Sequence, residues 1–163
     1  MIGQILLEGF GLGVLLMLVC AFGIRNGAVG MVHLYHGDVQ ARCVELGLTT
    51  WERIRKNRNI FKLVCIPGYL AYVLVFTYAV NGARGFLTGF WQLLLMLSVM
   101  NLMDRLLIDE LWVCRTTAWA IPGTGDLTPY ITARDKRGKW CFGTLGMTAI
   151  AALLSVVMTL ALS

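Results

Sequence analysis

Four apolar stretches, each about as long as a bilayer is thick, leave this chain few choices of fold. A helix crosses the hydrocarbon core of a membrane with roughly 20 consecutive apolar residues. Ile5 to Ile24, Phe61 to Val80, Phe86 to about Ile108 and Trp140 to Leu162 meet that length. Inside hydrocarbon the backbone must satisfy its own N–H and C=O groups, so such runs are helices. The expected fold is all-α: a polytopic membrane protein, one membrane domain over residues 1–163, built as a four-transmembrane-helix bundle. Only 14% of the 163 residues are charged and 58% are hydrophobic, which leaves little for a separate soluble catalytic domain.

The charges set the expected orientation. Arg25, Arg42, Arg53, Arg55, Lys56, Arg58 and Lys62 lie in or beside the connection 25–60. Arg115, Arg134, Lys136, Arg137 and Lys139 lie in the connection 109–139, whereas the short turn 81–85 holds Arg84 alone. Basic residues mark cytoplasmic connections, so both long connections are expected inside and both termini outside, with the chain multi-pass in the inner, cytoplasmic membrane. The net charge of +5 is read as topology and attraction to anionic lipid head groups rather than nucleic-acid binding. No Lys or Arg precedes the first apolar run and no small-residue cleavage site follows it, so it reads as a retained span. Cys20, Cys43, Cys65, Cys114 and Cys141 are odd in number and form no CxxC pair, and read as reduced apolar fillers.

The long connections carry helix signals of their own, expected as a structured cytoplasmic layer. Asp38 to Leu46 suits a short amphipathic helix ended by Gly47. Thr49 and Glu52 have capping-box spacing, which starts a new helix that runs into the second span, where Pro67 removes a backbone donor and should bend it. That basic helix, with Trp51, suits head-group level. Ile121-Pro122-Gly123-Thr124-Gly125-Asp126 sets a turn whose glycines could accept a phosphate, although it lacks the terminal Lys of a P-loop and an ordered loop is the simpler reading.

An ionisable residue within a span costs about 3 kcal/mol on insertion scales and is a functional candidate by default. Glu8 lies one helical turn inside span one, beside Gly9 and Gly13, whose spacing admits a neighbouring helix. It is the candidate ion or proton site, or else a carboxylate that reaches the interface and orients the helix. At the other end of the membrane, helical spacing groups Asn101, Asp104, Arg105 and Ile108 on one face and sets Asp109 within ion-pair reach of Arg105. At roughly 1.5 Å per residue, a helix from Phe86 to Val113 is about 42 Å long, so these charges fall near its cytoplasmic boundary. His33 and His36 enter the same layer and at i, i+3 can share a helix face, although no metal is assigned to them. In span four, Thr144, Thr148, Ala152, Ser155 and Thr159 make a small or hydroxyl stripe that suits packing. The small-residue faces of spans one and four are therefore candidates for a homo-oligomer contact.

Two resemblances accompany these residues. At Asp104-Arg105-Leu106-Leu107-Ile108-Asp109, Leu111-Trp112-Val113, Trp119 to Thr124, Val39 to Arg42 and Glu45 to Leu48, the chain resembles small four-span bacterial membrane proteins that carry no established activity. In topology it is also similar to the membrane-associated eicosanoid and glutathione proteins, whose trimers bind glutathione through a basic segment leading into span two. Glu52, Arg53, Arg55, Asn57 and Asn59 are similar in type to that segment.

The leading functional expectation is a cytoplasm-facing polar site of Asn101, Asp104, Arg105 and Asp109, capped by His33, His36 and the loop from Pro122 to Asp126. Its ligand would be amphipathic, with a lipid or isoprenoid-like head group, and no cofactor or nucleophile is identifiable. The alternatives are a small proton-coupled transporter using Glu8, a non-catalytic scaffold subunit, and a glutathione-dependent protein of the second resemblance.

Overall fold

The computed structural model describes residues 1–162, which are helical and contain no strand among the described residues. Four helices are long and apolar enough to cross a membrane: α1 (Ile2–Ile24), α3 (Trp51–Val80), α4 (Phe86–Val113) and α5 (Ala133–Ala161). The short α2 (Gly37–Glu45) lies in the first long connection, after a 3-10 turn at Ala28–Leu34.

α3 and α5 start upstream of their apolar runs, because polar caps rather than hydropathy set where they begin. Thr50, one residue later than expected, caps α3 by accepting from Arg53 N at 3.3 Å, so the expected Thr49–Glu52 box does not form. A capping box does form at the start of α5, where the Thr132 hydroxyl accepts from Asp135 N and the Asp135 carboxylate accepts from Thr132 N. It moves the helix start seven residues upstream of Trp140. α3 continues helically through Pro67. Leu46 follows α2, and Gly47, at φ +69°, turns the chain as a C-terminal glycine should.

α4 is the centre of the bundle, and glycines let its neighbours come close. A Cβ on Gly9 would stand 2.9 Å from both the Met96 carbonyl oxygen and Val99 Cβ, so the Gly9 and Gly13 face of α1 is turned onto α4 of the same chain. On the opposite side, Ala151 and Ser155 of α5 are fully buried, and Ser155 Oγ accepts from the Tyr78 hydroxyl at 3.4 Å. Thr144 and Thr148 instead donate back to carbonyls one turn earlier in their own helix, so the hydroxyl stripe does not form a continuous polar face.

Two apolar clusters stack along the bundle. One holds Ile5, Leu12, Val73, Leu93, Met96 and Ala151. The other, at the basic end, holds Cys20, Val32, Tyr35, Ile108, Trp119 and Tyr130 from the connections as well as the helices. Leu7, Leu63, Leu87, Leu145 and Leu153 remain exposed on the outside. Apolar side chains facing outward suit a chain whose solvent is lipid.

Candidate functional site

At the basic end, α4 winds with wider π-type turns over Asp104–Val113. Such turns are rare and recur at functional sites. They carry an ionic cluster. Arg105 Nη1 donates to Asp109 Oδ2 at 2.5 Å, its Nη2 donates to Asp104, and its Nε donates to Asn101 Oδ1 at 3.4 Å. From α5, Lys139 Nζ reaches both Asp109 oxygens at 2.9 and 3.0 Å. Gly143 admits the Asn101 amide: a Cβ there would come within 2.4 Å of Asn101 Nδ2. The four expected residues of α4 therefore do come together.

Next to this cluster is a cavity of about 360 Å³. That is within the ordinary range for a small-molecule site. Leu16, Cys20, Phe61, Tyr69, Met100 and Ile108 form its apolar sides, and Asp104, Asp109 and Lys139 its polar end. Tyr35, Trp119 and Tyr130, all buried, form the rest of the wall. The Tyr35 hydroxyl donates to the Trp119 carbonyl at 2.6 Å, and the Tyr35 and Tyr130 rings meet edge to face at 5.0 Å. Burial raises the Tyr35 hydroxyl far above its usual range, with Tyr130 and Cys43 adding to the shift, so it stays a protonated donor. Tyr130 accepts from Ile121 N and donates to Thr124 Oγ1, which in turn donates to the Ile121 carbonyl. That chain of bonds ties the second long connection into one piece.

One polar group of the wall residues, Trp119 Nε1, is sealed within the protein without a partner, while the Tyr69 hydroxyl lies beside the Cys65 thiol. Buried donors in folded proteins are normally paired.

The expected caps lie elsewhere. His33 lies in the 3-10 turn while His36 stands just before α2, so the two do not share a helix face. His33 is buried, packs on Phe61 with ring centroids 5.4 Å apart, and has no partner for either ring nitrogen. Burial, then Arg58, lowers its pKa below the usual 6.5. His36 is half exposed, pairs with Asp135 at 2.9 Å, and borders a second depression that shares Tyr35, Tyr130 and Lys139 with the cavity. The Pro122 to Asp126 loop does not line the cavity, because it packs on α2: Gly123 sits against Leu46, and Arg42 pairs with Asp126 at 3.3 Å.

Lys139, Tyr69, Trp119 and Tyr130 are site residues that sequence reasoning missed. Lys139 reads in the sequence as one of the basic residues that set topology, and aromatic residues within a long polar connection are the signal for Trp119 and Tyr130.

Glu8 is far from this cluster in the bundle and is also buried. Asn81 Nδ2 donates to its Oε2 at 2.8 Å and Gln4 Nε2 donates to its Oε1 at 3.1 Å. Gln4 and Asn81 bond each other at 2.7 Å, and the Tyr72 hydroxyl donates to the Glu8 carbonyl at 3.0 Å.

No family model, no curated protein and no solved structure matches the chain.

Proposed function

We propose that this chain is an inner-membrane protein that binds an amphipathic ligand in the cavity at its basic end, with that end in the cytoplasm and both termini outside. The observation that carries the reading is the cavity's construction: apolar sides from three spanning helices and an ionic cluster at one end. An apolar pocket with a few converging polar groups is the general form of a small-ligand site. Asn101 and Arg105 hold Asp104 and Asp109 in place, and Lys139 completes the cluster. The orientation rests on the basic residues gathered at the cavity's end of the bundle. Exposed Arg53, Arg55 and Lys56 on the first turns of α3 would meet anionic head groups there, at about 1 kcal/mol each.

The test is mass spectrometry of the intact protein after mild detergent extraction. A lipid-sized ligand bound one per chain is expected, with its occupancy lowered by Asp104→Asn and by Arg105→Ala. Retention unchanged in both folded variants, or a wild-type chain that carries nothing, would overturn the reading.

A further inference from the structure

The two aspartates at the polar end of the cavity are not equally occupied. Asp109, with a side chain 9% exposed, has both oxygens taken: Lys139 Nζ donates to Oδ1 and Oδ2, and Arg105 Nη1 donates to Oδ2. Arg105 spends its remaining donors on Asp104 and Asn101. Asp104 is the exception. Its side chain is 23% exposed and lines the cavity, and Arg105 takes only its Oδ2. Asp104 Oδ1 neither accepts a bond nor is sealed from the space beside it. An ionised carboxylate only accepts, so a polar group that settles against it has to donate.

Charge decides which donor fits. Arg105 and Lys139 are matched to Asp104 and Asp109, so the cluster is neutral as it stands. An ammonium head would set a third cation against two anions, among the apolar side chains of Leu16, Phe61, Met100 and Ile108. A carboxylate or phosphate would place negative charge against Asp104 Oδ1 and bring no donor to it. Both penalties grow where water is excluded. A hydroxyl incurs neither. It donates to a carboxylate in a short bond about twice as strong as one between neutral groups, and it adds no charge. Its own lone pairs can accept from Lys139, which lines the same cavity and has three hydrogens for the two Asp109 oxygens.

Resting on the ligand-binding reading above, we infer that the cavity takes a lipid alcohol: an uncharged lipid whose free hydroxyl donates to Asp104 Oδ1 and whose hydrocarbon lies against Leu16, Phe61, Met100 and Ile108. Fatty alcohols, prenyl alcohols and partly esterified glycerol share this chemistry. Lipids without a hydroxyl lack it.

The experiment measures binding to the full-length protein in detergent, by mass spectrometry of the intact complex and by thermal shift. Oleyl alcohol, oleic acid and oleylamine carry the same chain and differ only in the head. At about pH 8 the acid is ionised and the amine protonated. The alcohol is expected to bind tenfold or more tightly than either. Asp104→Asn should remove that lead by weakening the alcohol about tenfold, and oleate should gain, because Arg105 then lacks one of its two counter-charges. A lost fold would weaken all three probes alike, so the gain of oleate marks the carboxylate itself. Geranylgeraniol and monooleoylglycerol, run beside oleyl alcohol, tell prenyl and glycerol sources from a fatty alcohol by which binds most tightly. Acid or amine bound by the wild type as tightly as the alcohol would overturn the inference and leave the ligand-binding reading standing. So would an order of binding that is unchanged in Asp104→Asn. If no probe binds and the extracted protein carries no lipid, both fall.

Discussion

The two ends of the bundle bury carboxylates in opposite ways. At the basic end, Asp104 and Asp109 are held by Arg105 and Lys139 beside an open cavity. At the other end, Glu8 is held by two neutral amides, Gln4 and Asn81, where α1 and α4 are so close that Gly9 has no room for a Cβ. At the basic end Lys139 ties α5 to α4 through a charge pair, whereas at the other end the Asn81 amide ties the turn after α3 to α1. The comparison separates a charged cluster with space beside it from a polar contact that closes a helix junction.

The largest expected effect is at the ionic cluster. Asp109→Asn leaves the Arg105 and Lys139 charges without their shared partner, and should cost about 3–5 kcal/mol in denaturant unfolding. A loss no larger than that at Glu8 would erase the distinction between the two ends. Next comes packing. Gly9→Ala forces a Cβ onto the Met96 carbonyl and Val99, and should cost about 1–3 kcal/mol by the same measurement. Cys20→Val adds its volume into the cavity and should leave the midpoint where it is. The amide-held carboxylate should be the more forgiving one: Glu8→Gln keeps an acceptor for Asn81, and its cost should stay near 1 kcal/mol or below. A Glu8→Gln chain that fails to fold would show that the charge itself is essential.

The last effect is a pH dependence confined to the basic end. His33 is buried neutral, with its pKa lowered by burial and by Arg58. Below its normal value of 6.5 the unfolded chain takes up a proton that the folded chain refuses, so stability from this group is complete above pH 6.5 and is lost as pH falls through the lower folded value. The melting temperature should therefore drop between pH 7 and pH 5, and His33→Phe should flatten that drop. A slope identical in the variant would show that His33 does not carry it.

The four long helices were legible because a spanning segment states itself in hydropathy, and the Asn101, Asp104, Arg105 and Asp109 grouping because helical spacing alone brings those side chains together. What hydropathy cannot show is where a helix begins when polar residues prolong it, as the Thr132 and Asp135 box does for α5. Nor can spacing place residues that meet across the fold. His33 and His36 look like neighbours at i, i+3, yet the chain leaves its 3-10 turn between them, and one packs on Phe61 while the other faces Asp135. Trp119 and Lys139 reach the cavity from a loop and from α5, and only tertiary packing joins them to Asp109.

The central claim, that the cavity rather than the outer surface takes the ligand, is tested most directly by photolabelling. An amphipathic lipid with a diazirine at its polar end is added to the protein in membranes, activated, and the labelled peptides are mapped. Labels concentrated on the segments containing Tyr69, Met100 to Ile108 and Trp119, and removed by excess unlabelled lipid, are the predicted result. Labels spread over the outward-facing Leu7, Leu63, Leu87 and Leu153, with the cavity wall untouched, would contradict it.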